Sequence, residues 1–334
     1  MARDLTRLTS SLRAWLPDGE SLAAVVPLSA GHSNETYLLS GIDRILRTPP
    51  SEAGLLPPYD MPRQFRIMDR VGRAEGGPPV PRMRELCEDP AVIGDPFFTM
   101  DRARGEAYEA YEMPEWVKSA DAAFRSAMCE QWIDAIAAVH SLPTDVVGDP
   151  PRTPAEEADY WRCVAERAEA PGALLDLLQR LADDPPPASG PAAPLHGDSK
   201  LANCLWKNGR LTALLDWEMA GVGEPLVDVG YLIWTFDTYY RNPKSPGWWT
   251  REQVISRWEA RTGRTAVGLA RYEVLGMAKI IAILAAGAHL VRSGKSTDPR
   301  FAAWEAVVGP LTAAASARLA EVEWAPAEGQ RTSD

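Results

Sequence analysis

The sequence predicts an α+β protein with a β-rich N-terminal lobe and a mainly helical C-terminal lobe. The first hundred residues contain several short runs of β-type residues separated by turn residues. Most of the remaining chain instead shows apolar residues at helical spacing. The length of 334 residues also exceeds the usual size of a single domain. We therefore expect two lobes, residues 1–101 and residues 102–334.

The predicted N-terminal sheet begins with three strands between residues 22 and 47. The runs LAAVVPL and ETYLL are separated by SAGHSN, and RILRT follows the turn SGID. A helix is predicted in MPRQFRIMDRVGRA, where apolar residues recur three and four positions apart. Two further strands near residues 82–87 and 96–101 give a sheet of about five strands with one helix.

Helices dominate the predicted C-terminal lobe. The first is long, because Phe124, Met128, Trp132 and Ile136 recur every four residues on one face. An amphipathic helix in GALLDLLQRLADD follows it and ends at a proline-rich loop. Four more helices are predicted, at about residues 226–236, 251–262, 268–292 and 300–323.

A β-hairpin is predicted inside this helical region, at NCLWKNGRLTALLDW. Asn208-Gly209 lies between two apolar runs, which is the strongest short-range signal for a hairpin. Because two strands alone are only marginally stable, we expect a lone hairpin to present the residues at its ends. These residues are Asp198 and Asn203 before the hairpin and Asp216 after it.

The residues at the hairpin ends combine two carboxylates with an amide. Such oxygen ligands suit Mg²⁺, which takes one or two carboxylates and fills its other positions with water and phosphate oxygens. Asp198, Lys200 and Asn203 stand at i, i+2 and i+5, the order of a kinase catalytic loop. Taken alone, Asp198 is also compatible with an aspartate that closes a turn through backbone hydrogen bonds.

The motifs HGDSKLANCLW and LLDWEMAGVGEPLVDVGYL together resemble the aminoglycoside phosphotransferase superfamily, which comprises small-molecule kinases with a protein-kinase-like fold. The likeness covers about residues 25–235. GHSNETYLL, RILRTPP and the second motif are most similar to the branch linked to acyl-CoA dehydrogenases. The resemblance implies a protein-kinase-like fold, ATP and Mg²⁺ as cofactors, and a small-molecule hydroxyl as the phosphate acceptor.

The resemblance also implies roles for individual residues. Asp198 would be the catalytic base or the group that orients the acceptor hydroxyl, and Asn203 and Asp216 would bind Mg²⁺. Arg47 stands where kinases carry the lysine that neutralises the α- and β-phosphates, and it keeps the charge in a planar fork. Lys200 is expected either to contact the transferred phosphoryl group or to be a solvated surface cation.

Further nucleotide contacts are expected from the SAGHSN turn and from a hinge between the lobes. The turn has one glycine, Gly31, where kinase loops have several, so phosphate contact would rest on its backbone and on Ser33 or Asn34. Backbone groups from Met100 to Arg102 would meet the adenine.

Gln64 departs from the pattern of the family. It occupies the helical position where a glutamate would pair with the strand cation, so we expect a hydrogen bond to Arg47 in place of an ion pair. With the single-glycine turn, this leaves a nucleotide-binding pseudokinase or regulatory protein as an alternative. A true antibiotic-resistance kinase is the other alternative, although a hydroxyacyl-CoA-type or other metabolite acceptor is favoured.

Three residues near the motifs are expected to have supporting roles. Asp228 is predicted to hold the backbone amides of the catalytic loop. His196 is predicted to hydrogen-bond carbonyl groups around that loop. Glu218 is expected to be a surface acid, with a metal neighbour as the alternative.

Charge and hydropathy restrict the partners. A formal net charge of −11 argues against a general nucleic-acid surface, which needs clustered lysine and arginine. The N-terminus lacks a continuous apolar segment, and the run IIAILAAGAHLV is too short to span a bilayer. We expect a cytoplasmic protein without nucleic-acid or membrane partners, and the oligomeric state is left open.

Overall fold

The computed structural model has the predicted division into a β-rich N-terminal part and a mainly helical C-terminal part. The lobe boundary near residue 101 stays a prediction, although the fifth strand ends at Asp101. The structure describes residues 3–28, 33–107, 113–241 and 245–324.

All five predicted strands of the N-terminal sheet are present. They are β1 (Ala24–Pro27), β2 (Glu35–Ser40), β3 (Arg44–Thr48), β4 (Met83–Cys87) and β5 (Phe97–Asp101). They form one antiparallel sheet in the order β1-β2-β3-β5-β4. The pairing of β3 with both β2 and β5 places Arg47 in the interior of the sheet rather than at an edge.

Two helices cover this sheet, one on each face. The predicted helix is α2 (Met61–Arg73), which packs its buried residues against β4 and β5. The other, α1 (Leu5–Trp15), was not predicted, and the side chain of Asp4 caps it. Leu12 of α1 packs in a separate small core with Phe97 of β5. The sheet is therefore buried on both faces, which gives Arg47 a rigid support.

The C-terminal lobe contains the predicted helices, within one or two residues of their expected ends. The predicted helices are α4 (Ala122–Ser141), α6 (Gly172–Asp183), α7 (Leu226–Thr235), α8 (Arg251–Thr262), α9 (Leu269–Arg292) and α10 (Pro299–Trp324). Two further helices, α3 (Glu115–Lys118) and α5 (Pro154–Arg167), were not predicted. On α4, Met128, Trp132 and Ile136 are buried as predicted, and Phe124 is half-buried.

The predicted hairpin is present as β8 (Cys204–Lys207) and β9 (Arg210–Leu214). Asn208 and Gly209 have φ angles of 52° and 75°, the left-handed conformation that a two-residue hairpin turn requires. The expectation of a lone hairpin is wrong, because β6 (Glu106–Ala107) pairs with β8 to make a three-stranded sheet. A two-residue strand carries too little sequence pattern to reveal such a long-range pairing.

A second small ribbon holds the segments on either side of the hairpin. Strands β7 (Ala193–Leu195) and β10 (Gly221–Gly223) pair antiparallel. The chain leaves β7 directly into the segment 196–203 and reaches β10 directly after the segment 215–220. The two polar segments are thus tied together at both ends, by this ribbon and by the hairpin.

Helices α7 and α9 pack unusually close to each other. A Cβ atom placed on Gly230 would lie 2.5 Å from the carbonyl carbon of Tyr272, and one on Gly276 would lie 2.8 Å from the Cα atom of Tyr231. Among the described residues, α9 is the one helix long and apolar enough to cross a membrane by length and composition. Of its most apolar stretch, 61% is buried within the protein.

Candidate active site

The segment between β7 and β8, residues 196–203, forms a loop around the buried carboxylate of Asp198. The Oδ2 atom accepts hydrogen bonds from Lys200 Nζ at 2.7 Å and from Asn203 Nδ2 at 2.8 Å. The Oδ1 atom accepts one from the Tyr231 hydroxyl at 2.8 Å. The structure therefore brings the predicted pair Asp198 and Lys200 into direct contact.

Asp198 is held in its ionised form. Burial alone would raise the pKa of this carboxyl group, but the neighbouring Lys200 ammonium and the hydrogen bonds from Lys200 and Asn203 hold the pKa well below its usual range. The same contact raises the pKa of Lys200 against the opposing effect of burial. Asp198 is thus ionised, the form that accepts a hydrogen bond from a hydroxyl group.

Asp228, at the start of α7, holds the backbone of this loop. Its carboxylate accepts the N–H of His196 at 2.7 Å and the N–H of Gly197 at 3.0 Å, and it lies 3.2 Å from His140 Nε2. Although burial opposes ionisation, the His140 contact holds the pKa of Asp228 below its usual value. The predicted supporting role of Asp228 is confirmed.

His196 connects the loop to the segment after the hairpin. Its Nδ1 atom accepts the N–H of Asp198 at 3.2 Å, so the ring proton is assigned to Nε2, which lies 2.9 Å from the Leu215 carbonyl oxygen. Burial lowers the pKa of this imidazole. The predicted structural role of His196 is confirmed.

The hairpin brings the two expected metal ligands to the same place. The Leu215 N–H donates to the Asn203 carbonyl oxygen at 2.8 Å, so Asp216 follows directly after a residue paired with Asn203. Asn203 Nδ2 donates hydrogen bonds to Asp198, whereas no hydrogen bond is described for Asn203 Oδ1. Asp216 adopts the left-handed backbone conformation, with φ of 69°. The assignment of these residues to a metal stays a prediction.

Arg47 reaches this place from the N-terminal sheet. Its guanidinium forms a hydrogen-bonded ion pair with Asp216, and its Nη2 atom lies 3.6 Å from Glu218 Oε2. The expected hydrogen bond between Gln64 and Arg47 is not among the described contacts, and Gln64 is instead buried on α2. The described partners of Arg47 are instead Asp216 and Glu218, which both lie on the segment after the hairpin.

The Glu218 side chain is only 15% exposed and bonds groups of the N-terminal lobe, so its interpretation as a surface acid is wrong. Asn34 Nδ2 donates to its carboxylate, and the Ser33 side chain hydrogen-bonds it as well. Burial and the neighbouring Asp216 raise the pKa of Glu218 to about 8, although Arg47 opposes the shift. Ser33 and Asn34, both expected to contact phosphate, are thereby fixed beside Arg47.

The donor atoms on this side fit a nucleotide phosphate. Arg47 Nε is buried and has no hydrogen-bond partner among the described residues. Asn34 Oδ1 also lacks a described partner, but it is an acceptor and suits a donor or a cation rather than a phosphate oxygen. A buried N–H without a partner is costly, and a phosphate oxygen would satisfy it. Asp216 and Asn203 supply the carboxylate and amide oxygens that Mg²⁺ prefers. The residues present therefore suit both groups.

The remaining expected nucleotide contacts are placed as follows. Gly31 lies outside the described residues. Met100 is buried in β5 and pairs with Ile45 of β3, whereas the Arg102 guanidinium lies 3.4 Å from Asp43 on the turn between β2 and β3. The contact of Met100 and Arg102 with adenine stays a prediction.

A cavity of about 480 Å³ borders the catalytic loop, and sequence reasoning did not find it. Two of its lining residues lie against Gly197. Lys279 Nζ donates a hydrogen bond to the Gly197 carbonyl oxygen, and the Met219 carbonyl oxygen leaves no room for a Cβ atom on Gly197, which would lie 2.0 Å away. Its other side consists of α2 and of Tyr160 and Trp161 on α5. Those aromatic residues follow a helix start that a capping box marks in the sequence.

This arrangement defines a class of protein, a small-molecule kinase with a two-lobed, protein-kinase-like fold. Residues 24–261 match the model of the phosphotransferase enzyme family, and the chain belongs to that family. The predicted resemblance is confirmed.

Curated relatives agree with the predicted branch. The chain is 30% identical over 215 residues to mouse acyl-CoA dehydrogenase family member 10, covering 60% of this chain and 19% of the relative. It is 26% identical over 251 residues to human acyl-CoA dehydrogenase family member 11, covering 71% of this chain and 31% of the relative. The chain thus spans less than a third of the length of these relatives.

Solved structures share the fold. A Ralstonia eutropha protein assigned as an aminoglycoside phosphotransferase superimposes with a TM-score of 0.76 at 21% identity, covering 94% of this chain and 98% of that one. A macrolide 2′-phosphotransferase from Brachybacterium faecium gives 0.56 at 20% identity, with 90% and 98% covered. An aminoglycoside phosphotransferase solved with GDP and kanamycin gives 0.61 at 15% identity, with 92% and 98% covered. These matches confirm the predicted fold class.

Proposed function

We propose that this protein uses ATP and Mg²⁺ to phosphorylate a hydroxyl group of a small molecule. The observation that carries the proposal is the position of an ionised Asp198 next to a hairpin whose far end presents Asp216 to Arg47. A proton acceptor and a set of phosphate-binding and metal-binding groups are thereby adjacent in one site, as phosphoryl transfer requires.

In the proposed reaction the acceptor oxygen forms a bond to the γ-phosphorus while the bond from that phosphorus to the β–γ bridging oxygen breaks. The proton of the acceptor hydroxyl passes to Asp198, and ADP leaves with the bridging oxygen. Arg47 would neutralise phosphate charge, and Mg²⁺ held by Asn203 and Asp216 would neutralise more. Because phosphoryl transfer depends mainly on positioning and charge neutralisation, these residues supply what the step needs.

A hydroxyacyl-CoA-type or other metabolite acceptor is favoured over an antibiotic. An aminoglycoside carries several positive charges and needs an acidic cleft. The cavity beside the catalytic loop instead has mixed charge: Asp149 and Glu157 are paired with Arg63 and Arg152, and the remaining charged lining residues are Lys279, Asp60 and Glu218. The curated relatives named above are acyl-CoA dehydrogenase family members, which also supports an acyl-type acceptor.

The alternative of a nucleotide-binding pseudokinase rested on Gln64 and on the single-glycine turn, and the structure bears on the Gln64 argument. That argument is weaker in the structure, because Glu218 gives Arg47 a carboxylate partner without any help from Gln64. We therefore favour an active enzyme. A cytoplasmic location, and the absence of nucleic-acid and membrane partners, remain part of this proposal.

The test is ATP consumption by the purified protein with Mg²⁺ and a panel of hydroxylated compounds. The panel would contain hydroxyacyl-CoA thioesters, the free hydroxy acids and several aminoglycosides. We expect acceptor-dependent ADP formation with the first class, loss of that activity in Asp198→Ala, and retention in Asp176→Ala, which removes an exposed carboxylate on α6. Equal activity in the wild type and Asp198→Ala would contradict the mechanism, and activity with aminoglycosides alone would favour the antibiotic-resistance alternative.

A further inference from the structure

The catalytic carboxylate has a third contact that none of the sequence motifs suggested. Tyr231, on α7, is 1% exposed, and its hydroxyl donates a hydrogen bond of 2.8 Å to Asp198 Oδ1. The two residues are 33 positions apart in the chain. The contact is therefore a product of tertiary packing around the catalytic loop.

The close packing of α7 and α9 explains why Tyr231 lies there. Gly230 and Gly276 let the two helix backbones approach, because a Cβ atom on Gly276 would lie 2.8 Å from the Cα atom of Tyr231. Lys279 follows Gly276 by about one helical turn. Its Nζ atom donates to the Gly197 carbonyl and lies 4.7 Å from the centre of the Tyr231 ring. The ammonium thus contacts both the loop that carries Asp198 and the ring that bonds it.

A second aromatic ring completes the surroundings of this ammonium. Lys279 Nζ lies 5.3 Å from the centre of the Trp161 ring, and the Lys279 side chain is almost fully buried. Cations over aromatic faces in desolvated sites are stabilised by the ring quadrupole. Lys279 therefore fixes the Tyr231 ring from one side while α9 packs against its backbone.

Counting hydrogen bonds on the carboxylate distinguishes its two oxygens. A carboxylate oxygen offers about two lone-pair sites. Oδ2 uses both, for Lys200 and Asn203, whereas Oδ1 uses one, for Tyr231. One lone-pair site of Oδ1 remains for a further donor.

We propose that Tyr231 is a positioning residue that orients the Asp198 carboxylate so that Oδ1 receives the proton of the acceptor hydroxyl. Lys279 supports it by holding both the tyrosine ring and the Gly197 carbonyl. This inference rests on the proposed kinase function, because it names which oxygen of Asp198 takes the proton in that reaction.

The first test compares two buried tyrosine hydroxyls by kinetics. Tyr231→Phe removes the bond to Asp198, and Tyr272→Phe removes a comparable bond of 2.9 Å to the Pro187 carbonyl, away from the catalytic loop. With Mg·ATP and water as the acceptor, we expect kcat to fall about 10- to 100-fold in Tyr231→Phe with the KM for ATP unchanged, since misplacement of a catalytic group costs rate rather than nucleotide binding. Tyr272→Phe should keep the wild-type kcat.

An unchanged kcat in Tyr231→Phe would overturn the inference, and so would an equal loss in both variants, because that would indicate general destabilisation. The second test is a crystal structure of Tyr231→Phe, in which we expect the Asp198 carboxylate to be rotated relative to the wild type. If the wild type binds Mg·ATP but shows no turnover with water or with any acceptor of the panel described above, the proposed function fails. The crystal structure still decides the inference in that case, since an unrotated carboxylate would show that Tyr231 does not orient it.

Discussion

The catalytic loop and the phosphate-facing side of the N-terminal lobe are supported in different ways. The loop is bonded from several directions by buried groups of the C-terminal lobe. Asp228 accepts two of its backbone N–H groups and, through its own carbonyl, the Ser199 hydroxyl at 2.9 Å. Trp132 of α4 donates to the Ser199 carbonyl at 3.0 Å. Each of these partners is itself fixed in the helical core.

On the N-terminal side, the polar groups bond mainly to the segment after the hairpin. Arg47 pairs with Asp216 and Glu218, and Asn34 bonds Glu218. Arg47 Nε and Asn34 Oδ1 have no partner among the described residues. The comparison teaches that the half of the site proposed to accept the proton is held by hydrogen bonds from the helical core, whereas the charged groups of the half proposed to bind phosphate and metal are paired with each other.

The largest effect is expected from removing the negative charge of Asp198. Asp198→Asn should fold and bind Mg·ATP, but kcat should fall by about 10² to 10⁴, a barrier increase of about 3 to 5 kcal/mol, because the amide cannot accept the proton. Steady-state kinetics, with thermal shift as the measure of Mg·ATP binding, tests this. Wild-type turnover by this variant with a true acceptor would mean that Asp198 only closes a turn.

The support of the catalytic loop can be tested at Asp228, which accepts hydrogen bonds from the loop backbone. In Asp228→Asn the amide NH₂ faces the backbone N–H of His196 or of Gly197 in either orientation, and His140 loses its carboxylate partner. We therefore expect a loss of about 3 kcal/mol in the free energy of unfolding at pH 7. Because the folded-state pKa of Asp228 lies below its unfolded value of about 3.9, its contribution is present above that pH and is lost as the pH falls.

Chemical denaturation at several pH values measures this difference. The gap in stability between the wild type and Asp228→Asn should shrink below about pH 4. Asp176→Asn, at an exposed position on α6, serves as the control and should follow the wild type at every pH. A gap that stays constant down to pH 3 would show that charge at Asp228 contributes nothing.

The proposed binding of Mg²⁺ by Asp216 is tested through Asp216→Ala. With ligand at about 100 times its Kd, wild-type binding should add about 2.7 kcal/mol to the stability, and we expect the Mg²⁺-dependent part to disappear in the variant. Thermal shift with ATP and MgCl₂, compared with ATP and EDTA, separates the two parts. Asp176→Ala should respond to Mg·ATP as the wild type does, and a full response by Asp216→Ala would place the metal elsewhere.

A smaller effect is expected at Arg47, the residue proposed to bind phosphate. Arg47→Ala should weaken Mg·ATP binding by about 2 kcal/mol, roughly 30-fold, because one charged hydrogen-bonding partner is lost. Arg47→Lys should retain more affinity. Arg44→Ala is the matched control on the same strand, since Arg44 pairs with Asp18 and Glu85 instead. Unaltered binding by Arg47→Ala would assign phosphate neutralisation to another cation.

Local signals in the sequence predicted the features that are locally determined. The hairpin followed from Asn208-Gly209 because a two-residue turn demands left-handed backbone at both positions. The grouping of Asp198 with Asn203 and Asp216 followed from their positions at the hairpin ends. The roles of Asp228 and His196 were also predicted, because both lie within the motifs that carry the family resemblance.

Features set by distant partners could not be predicted in the same way. Glu218 was expected at the surface because acidic residues usually are, but Asn34 and Arg47 of the other lobe cover it. Tyr231 was given no role, although it lies within the second motif, because its contact with Asp198 joins residues 33 positions apart. In both cases the deciding contact joins segments that no single motif contains.

The ion pair between Arg47 and Asp216 has a thermodynamic consequence. It joins the group proposed to hold phosphate to the group proposed to hold metal, so the charge of either ligand weakens the attraction between them. Whichever ligand binds first releases the partner residue for the second. By linkage, nucleotide should then raise the affinity for Mg²⁺ by the same factor as Mg²⁺ raises the affinity for nucleotide, whatever the order of binding. The empty site and the fully loaded site would thus be the two favoured states, with the singly loaded forms sparsely populated.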